Sequence, residues 1–293
     1  MATLRELKGR IGSVASSEKI TGAMKMISSA KMHKSEMALR KLLPFRSQIE
    51  TIIGNLLTAD VEFDSPLIQS RQVNKIGIVI FGSNDGLCGA YNVNIVKVLH
   101  QQIQSYRIEF GSNVDIVIYP VGSKVVKAVS KIADAHIKVE VPEGVDANTS
   151  GEGVKDFMQL LQDAFVGGDI DRVDVLYMSF KSVSRQRACC QQLLPVVSST
   201  FTANGDNAAC RPYIFEPDAN VIFQAVLPKF LLSVMQDVFT ENRASEQAAR
   251  VMAMQSANDN AKKLLEQLRI EYNKLRQNSI TTELLDILGG QIR

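Results

Sequence analysis

The chain has 293 residues, 45% of them hydrophobic and 22% charged, with a formal net charge of +2. That length and balance fit one or two soluble domains with a real core and exclude a disordered or collagen-like chain. The longest apolar runs, such as Ile76–Phe81, have the length of a strand, so no membrane span is expected. The N-terminus is basic and periodic, without an apolar signal-peptide region. Cys88, Cys189, Cys190 and Cys210 have neither zinc spacing nor a disulfide framework, which fits a reducing, cytoplasmic setting.

From Met1 to Leu43 there is no proline, and Leu4, Leu7, Ile11 and Val14 step by three and four residues. That is the rhythm of a coiled-coil seam. After a phase slip, Ile20, Met24 and Ile27 are expected to resume it. Residues 1–50 carry Arg5, Lys8, Arg10, Lys19, Lys25, Lys31, Lys34, Arg40, Lys41 and Arg46 against four glutamates. This basic rod is either a solvated face or the match for an acidic partner surface. Nucleic acid fits poorly, because no aromatic residues interleave with the basic ones and no finger motif is present.

The middle of the chain alternates strands and helices. Val73–Phe81 reads as a buried strand, followed by the glycine loop 82–89, a helix at Asn92–Gln104 and a strand at Val114–Val121. Short helices at Lys124–Ile132 and Gly153–Phe165 and a strand at Val173–Phe180 follow. The pattern predicts a largely parallel sheet in an inserted Rossmann-like α/β domain over residues 73–215. Turn-rich stretches near Asp60–Pro66, Pro142–Gly151, Gly205–Arg211 and Pro212–Pro228 mark its joints.

The loop Gly82–Gly89 has the glycines of a phosphate cradle but the spacing G-x-x-x-G-x-x-G, and no Gly-Lys-Ser/Thr follows. His33, His100 and His136 are isolated, and no nucleophile elbow or acid/base pair stands out. No catalytic, cofactor or metal residue is assigned. Cys88, between strand and helix, is a buried thiol rather than a nucleophile.

After Pro228 there is no proline and no glycine until Gly289. Val251, Met254, Asn258, Ala261, Leu265, Leu268, Tyr272 and Leu275 again step by three and four. At 1.5 Å per residue, 229–288 as one helix would reach about 90 Å, more than a compact domain encloses. The seam therefore needs a partner: the N-terminal helix, antiparallel, or a second copy of the chain. The expected division is an N-terminal coiled-coil helix at 1–60, the α/β domain at 73–215 and a C-terminal coiled-coil helix at 216–293.

Both rods are rich in small residues: Gly9, Gly12, Ala15, Ser16, Ser17, Gly22, Ala23, Ser28, Ser29 and Ala30 in the first, Ala244, Ser245, Ala248, Ala249, Ala253, Ser256 and Ala257 in the second. A helix-interior glycine costs about 1 kcal/mol relative to alanine. Small side chains serve close helix approach or passage through a confined space. Ile280, Leu284, Leu285, Ile287 and Leu288 crowd the C-terminal tip, an apolar end that needs a socket.

Four segments together resemble the gamma subunits of bacterial F-type ATP synthases, over essentially the whole chain. They are Lys19–Met26 continuing through Ala30-Lys31-Met32, Gly86-Leu87-Cys88-Gly89-Ala90-Tyr91-Asn92, Ala244–Arg250 with Met252-Ala253-Met254 and Asp259-Asn260-Ala261, and Tyr272–Lys274 with Arg276-Gln277 leading to Ile280–Glu283, Asp286 and Gly289-Gly290. The resemblance implies an antiparallel coiled coil of the terminal helices, with the α/β domain at its foot. It implies a non-catalytic rotary shaft, peripheral on the cytoplasmic face of the inner membrane. Its partners would be the alpha and beta subunits, the epsilon subunit and the ring of c subunits. Carried over by matching motif, Met24, Lys25, Arg250, Gln277, Thr281 and Glu283 would couple to the head. Ile280, Leu284, Ile287 and Leu288 would turn in an apolar bearing, and Gly86, Leu87, Cys88 and Gly89 form the family loop. Gln291 departs from the family's usual alanine. Adjacent Cys189 and Cys190 do not replace the chloroplast form's redox pair.

Overall fold

The computed structural model describes residues 3–57, 63–197 and 215–290. In chain order the elements are helix α1 (Leu4–Leu57), strand β1 (Lys75–Phe81), helix α2 (Tyr91–Phe110), strand β2 (Asp115–Val121), helix α3 (Ser123–Val129), strand β3 (Ile137–Val139), helix α4 (Glu152–Val166), strands β4 (Arg172–Ser182) and β5 (Arg185–Leu194), and helix α5 (Ala219–Gly290). Packing divides the chain into two units, Met1–Ser29 with Arg250–Arg293, and Ala30–Ala249. The sheet's unit thus takes residues 30–57 of α1 and 219–249 of α5, which the sequence reading counts with the rods.

In the sheet's unit the strand order is β3-β2-β1-β4-β5. The first four strands are parallel and β5 is antiparallel to β4. Along β1, Ile76, Ile78 and Ile80 face one apolar cluster with α2 and α3, while Val79 and Phe81 face the other with α4. Alternation of side chains across a strand buried on both faces requires this split. Ile49, Ile53 and Leu56 of α1 and Phe223 to Phe239 of α5 complete the second cluster.

Strands β3 and β5 are absent from the sequence reading. The first has three residues, and the second, RQRACCQQLL, is a polar edge strand without apolar alternation. Helix α5 begins at Ala219, inside the expected 216–293 stretch, but runs through Pro228, where a joint is predicted. A helix-interior proline costs about 3 kcal/mol, but burying each of Phe223, Leu227, Phe230 and Leu231 returns about 1.5–3 kcal/mol. The same burial explains why α5 contains an 18-residue window of mean hydropathy 1.4, half of it buried, that meets the length test for a membrane span. The predicted joint at Gly205–Arg211 lies outside the described residues.

In the other unit, Val251, Met254, Asn258, Leu265 and Leu268 of α5 are buried, and Ala261, Tyr272 and Leu275 half-buried, as the seam reading requires. On α1 the phase slip does not occur. The less exposed positions continue in step through Leu4, Leu7, Ile11, Val14, Glu18, Thr21, Lys25 and Ser28. Ile20 and Ile27, expected in the seam, are 58% and 56% exposed. The reason is polar matching. Asn258 Nδ2 donates to the Glu18 carbonyl at 2.6 Å and to Thr21 Oγ1 at 3.3 Å, so a hydrophilic layer holds the original phase. This bond pairs the two terminal helices within one chain.

Candidate functional site

The chain passes from β1 to β2 and β3 on one side, then crosses to β4 on the other. In open α/β sheets the crevice at such a reversal, outside the carboxyl ends of the strands, is where ligands bind. Here that crevice is filled by the chain itself. Glu241 of α5 accepts from Ser179 Oγ at 2.6 Å and from the Phe180 amide at 2.9 Å, at the end of β4. Its neighbour Asn242 donates to the Gly82 carbonyl at 3.2 Å, at the end of β1, and accepts from Tyr91 Oη at 2.6 Å. Between them and the sheet, Phe239 meets Phe81 edge-on with centroids 4.7 Å apart, and Phe157 at 6.4 Å.

The glycine loop is built for closeness rather than for a phosphate. A Cβ on Gly82 would fall 1.9 Å from Val125 Cγ2, and Gly122, with φ +111°, would meet the Gly82 carbonyl carbon at 3.0 Å. The two glycines let α3 close onto the end of β1. The Ser83 amide donates to Asn92 Oδ1 at 3.1 Å, and Asn92 Nδ2 donates to Ser83 Oγ at 2.7 Å and to Cys88 Sγ at 3.4 Å. The positive φ values in the family loop belong to Leu87 (+64°) and Gly89 (+61°). Cys88 is buried and serves this local network.

A second tie joins α1 to α5 within the sheet's unit. Arg46 donates to Glu50 at 2.8 Å and to Asp237 at 3.3 Å. Burial pushes the Asp237 carboxyl up, and the Arg46 guanidinium opposes this only in part. Asp174, fully buried on β4, accepts from Arg172 Nε at 2.8 Å and from Tyr106 Oη, while its Oδ1 has no partner among the described residues. Burial raises its pKa as well, with Tyr106 and Arg172 pulling the other way. Adjacent Cys189 and Cys190 pair with Tyr177 and Leu176 on β4 and so project to opposite faces.

A cleft of about 750 Å³ opens at the other edge of the sheet, among Phe63, Arg71, Phe110, Asp171, Arg172 and Val197. It lies at the amino ends of β1 and β4, away from the ligand edge. Among the described residues no group of His, Cys, Asp and Glu could hold a metal ion.

In the coiled-coil unit Met24 is half-buried, and Lys25 occupies a seam position. Arg250 is 6% exposed and packed rather than free on the surface. Gln277, Thr281 and Glu283 are exposed along one end of α5. Thr281 Oγ1 donates to the Gln277 carbonyl at 2.9 Å, and Ser279 reaches Glu283 at 3.5 Å. Ile280, Leu284, Leu285, Ile287 and Leu288 are all exposed. Sequence reasoning did not find Glu241, Asn242 or the Gly82–Gly122 contact. Their partners lie far away in sequence, and no local motif announces them.

Paired terminal helices with an inserted Rossmann-like domain, its ligand crevice filled by α5, are the architecture that the sequence resemblance to gamma subunits implies. The comparisons with known proteins agree. The ATP synthase family model matches residues 3–291. An ATP synthase gamma chain of Phocaeicola vulgatus is 40% identical, with both chains fully covered. One from Bacteroides fragilis is 39% identical over the full length of both, and one from Methylobacillus flagellatus 31% identical over 99% of each. In fold, the chain is similar to one in the Euglena gracilis mitochondrial ATP synthase (OSCP/F1/c-ring), with TM-score 0.67, 21% identity and coverage of 99% and 93%. A chain in the central stalk and c-ring of the Tetrahymena thermophila mitochondrial enzyme gives TM-score 0.55 at 21% identity, covering 81% and 99%. The chain belongs to the ATP synthase family, among its gamma chains. Its role is accordingly that of a gamma chain, a non-catalytic subunit of an ATP synthase.

Proposed function

We propose that the coiled-coil unit is a turning shaft inside a head of alpha and beta subunits, and that the α/β domain at 73–215 is its foot on the epsilon subunit and the c ring. Ion flow through the ring would turn the foot, and Glu241 and Asn242 would carry that torque into α5. The shaft would then bias the catalytic subunits through differential contacts. In this reading the chain lies peripherally on the cytoplasmic face of the bacterial membrane.

The observation that carries it is the placing of glycine. Gly9 and Gly12 are exposed, and a Cβ on either would meet nothing within 4 Å. Packing of the two helices, one of the expected reasons for small residues, therefore does not account for them. Each weakens the helix by about 1 kcal/mol relative to alanine with no gain inside the chain, which fits a narrow clearance imposed from outside. The exposed tip and the exposed Ile20, Met26 and Ile27 fit the same surroundings, since apolar contacts lack direction and tolerate turning. Met24, Lys25, Arg250, Gln277, Thr281 and Glu283 are the proposed coupling positions. Exposure supports direct contact for Gln277, Thr281 and Glu283, whereas buried Arg250 would act by shaping the coil.

The test is assembly and coupling. The full chain is expected to co-purify with alpha and beta subunits and to restore ATP synthesis to membranes lacking it. Full coupled activity from a chain without residues 1–29 and 250–293 would overturn the reading.

A further inference from the structure

The two edges of the sheet are finished differently. Strand β3 is three residues long, and Lys138 at its centre pairs with Glu140 at 2.6 Å on the surface. A short, charged edge resists the addition of another strand. Strand β5 is ten residues long and has no charge, proline or glycine from Ala188 to Leu194. Its register with β4 is unbroken from Gln186 to Gln192, so no bulge twists that stretch away. It pairs on one side only, and among the described residues no main-chain group of Arg185–Leu193 finds a partner beyond β4. Every residue from Arg185 to Gln192 keeps part of its surface open. Such a row of outward N–H and C=O groups is a template for pairing with another chain.

We propose that β5 is a docking edge for an extended segment of a partner subunit at the foot, added to the sheet as a further strand, with carboxylates at one end and a large apolar side chain at the other. Two features beside the edge set that chemistry. Arg185 and Arg187 project to one face, are exposed, and make no ion pair among the described residues. At the opposite end Gln192, Pro195, Val196 and Val197 wall the cleft of about 750 Å³ that Phe63 and Phe223 also line. From Arg187 to Leu194 the strand advances about 24 Å, so the segment carries its carboxylates and its apolar anchor about seven residues apart. Main-chain bonds along β5 supply affinity, and the two ends supply specificity. The inference rests on the foot reading above only for where the added strand comes from.

The test is hydrogen exchange, read by mass spectrometry, on the full chain alone and in its solubilised membrane complex. The faster-exchanging amides of Gln186–Gln192 are expected to slow by about tenfold or more in the complex, and those of β3 to keep their rates. Arg185→Glu with Arg187→Glu, and separately Val197→Glu, are each expected to cancel the slowing while leaving the Tm of the isolated chain unchanged, since these sites are exposed. Gln191→Lys, which gives β5 the kind of charge that guards β3, is expected to cancel it as well. Equal exchange in both samples, from a complex that is assembled and coupled, overturns the docking edge and leaves the foot reading intact. Slowing that survives every variant overturns the partner chemistry. Slowing already complete in the isolated chain also overturns the proposal, in favour of a second copy where it grows with concentration and of residues 198–214 where their deletion abolishes it. Slowing that the variants cancel with no loss of ATP synthesis leaves the edge standing and counts against the foot reading instead.

Discussion

Helix α5 meets two opposite environments along one continuous run of residues. Between Leu227 and Ala248 almost every side is covered, with Leu227, Phe230, Leu231, Val234, Met235, Val238, Phe239, Asn242, Ala244, Ser245 and Ala248 all buried. From Val251 to Leu268 the fully buried positions are Val251, Met254, Asn258, Leu265 and Leu268, spaced as one stripe. The first stretch is a core helix, held by area and by hydrogen bonds to β1 and β4. The second is held along a single seam and leaves its remaining faces to whatever surrounds it. Sites in the core region should therefore govern the stability of the isolated chain, and sites on the outer faces of the coil should govern the activity of the assembly.

That contrast can be broken or sharpened by substitution. The largest loss is expected for Phe239→Ala, which empties the contact with Phe81 and Phe157; chemical denaturation should show a loss of about 3–5 kcal/mol. Gly82→Ala places a methyl against Val125 and should destabilise by about 1–3 kcal/mol in the same experiment. Gly12→Ala should do the reverse, stabilising by about 1 kcal/mol while lowering ATP synthesis in the assembled complex. A gain in both would break the contrast.

Asp174→Asn probes burial without volume change. The folded carboxyl has a raised pKa, so the stability it contributes is complete below the unfolded value and fades as pH rises through the folded one. At neutral pH the variant is expected to melt at or above the native chain, and the gap should close as the pH falls toward the ordinary carboxylate range. A gap that widens in acid would show that the ion pair with Arg172 outweighs burial. The smallest effect on stability belongs to the tip. Leu284→Ser with Leu288→Ser, both at exposed positions, should move stability by no more than about 0.5 kcal/mol per site, yet reduce coupled activity.

The same contrast explains what could be read from the residues alone. The seam of α5 is legible because a seven-residue period over eight positions leaves little room for accident. The parallel strands are legible because burial on both faces makes them apolar throughout, as Ile76–Phe81 is. The α1 seam is misread after Val14 because apolarity points to Ile20 and Ile27, whereas the actual layer is built from Glu18, Thr21 and Asn258. Its hydrogen bonds span 240 and 237 residues in sequence and leave no local trace. Strand β5 escapes for a related reason: an edge strand needs pairing more than apolarity, and its pairing lies in β4. Pro228 reads as a boundary until the burial around it is known. The family loop is legible as a loop, but the filling of the crevice beside it depends on Glu241 and Asn242, whose partners at Phe180 and Gly82 lie 61 and 160 residues away.

The closed crevice has a pharmacological corollary. A small molecule designed to mimic a nucleotide would find no vacancy in that crevice, since entry would require prying out Phe239 together with Glu241 and Asn242. Selective inhibitors of this chain are better sought against its outer faces, where an adhering compound would act as a brake on movement instead of a competitor for substrate.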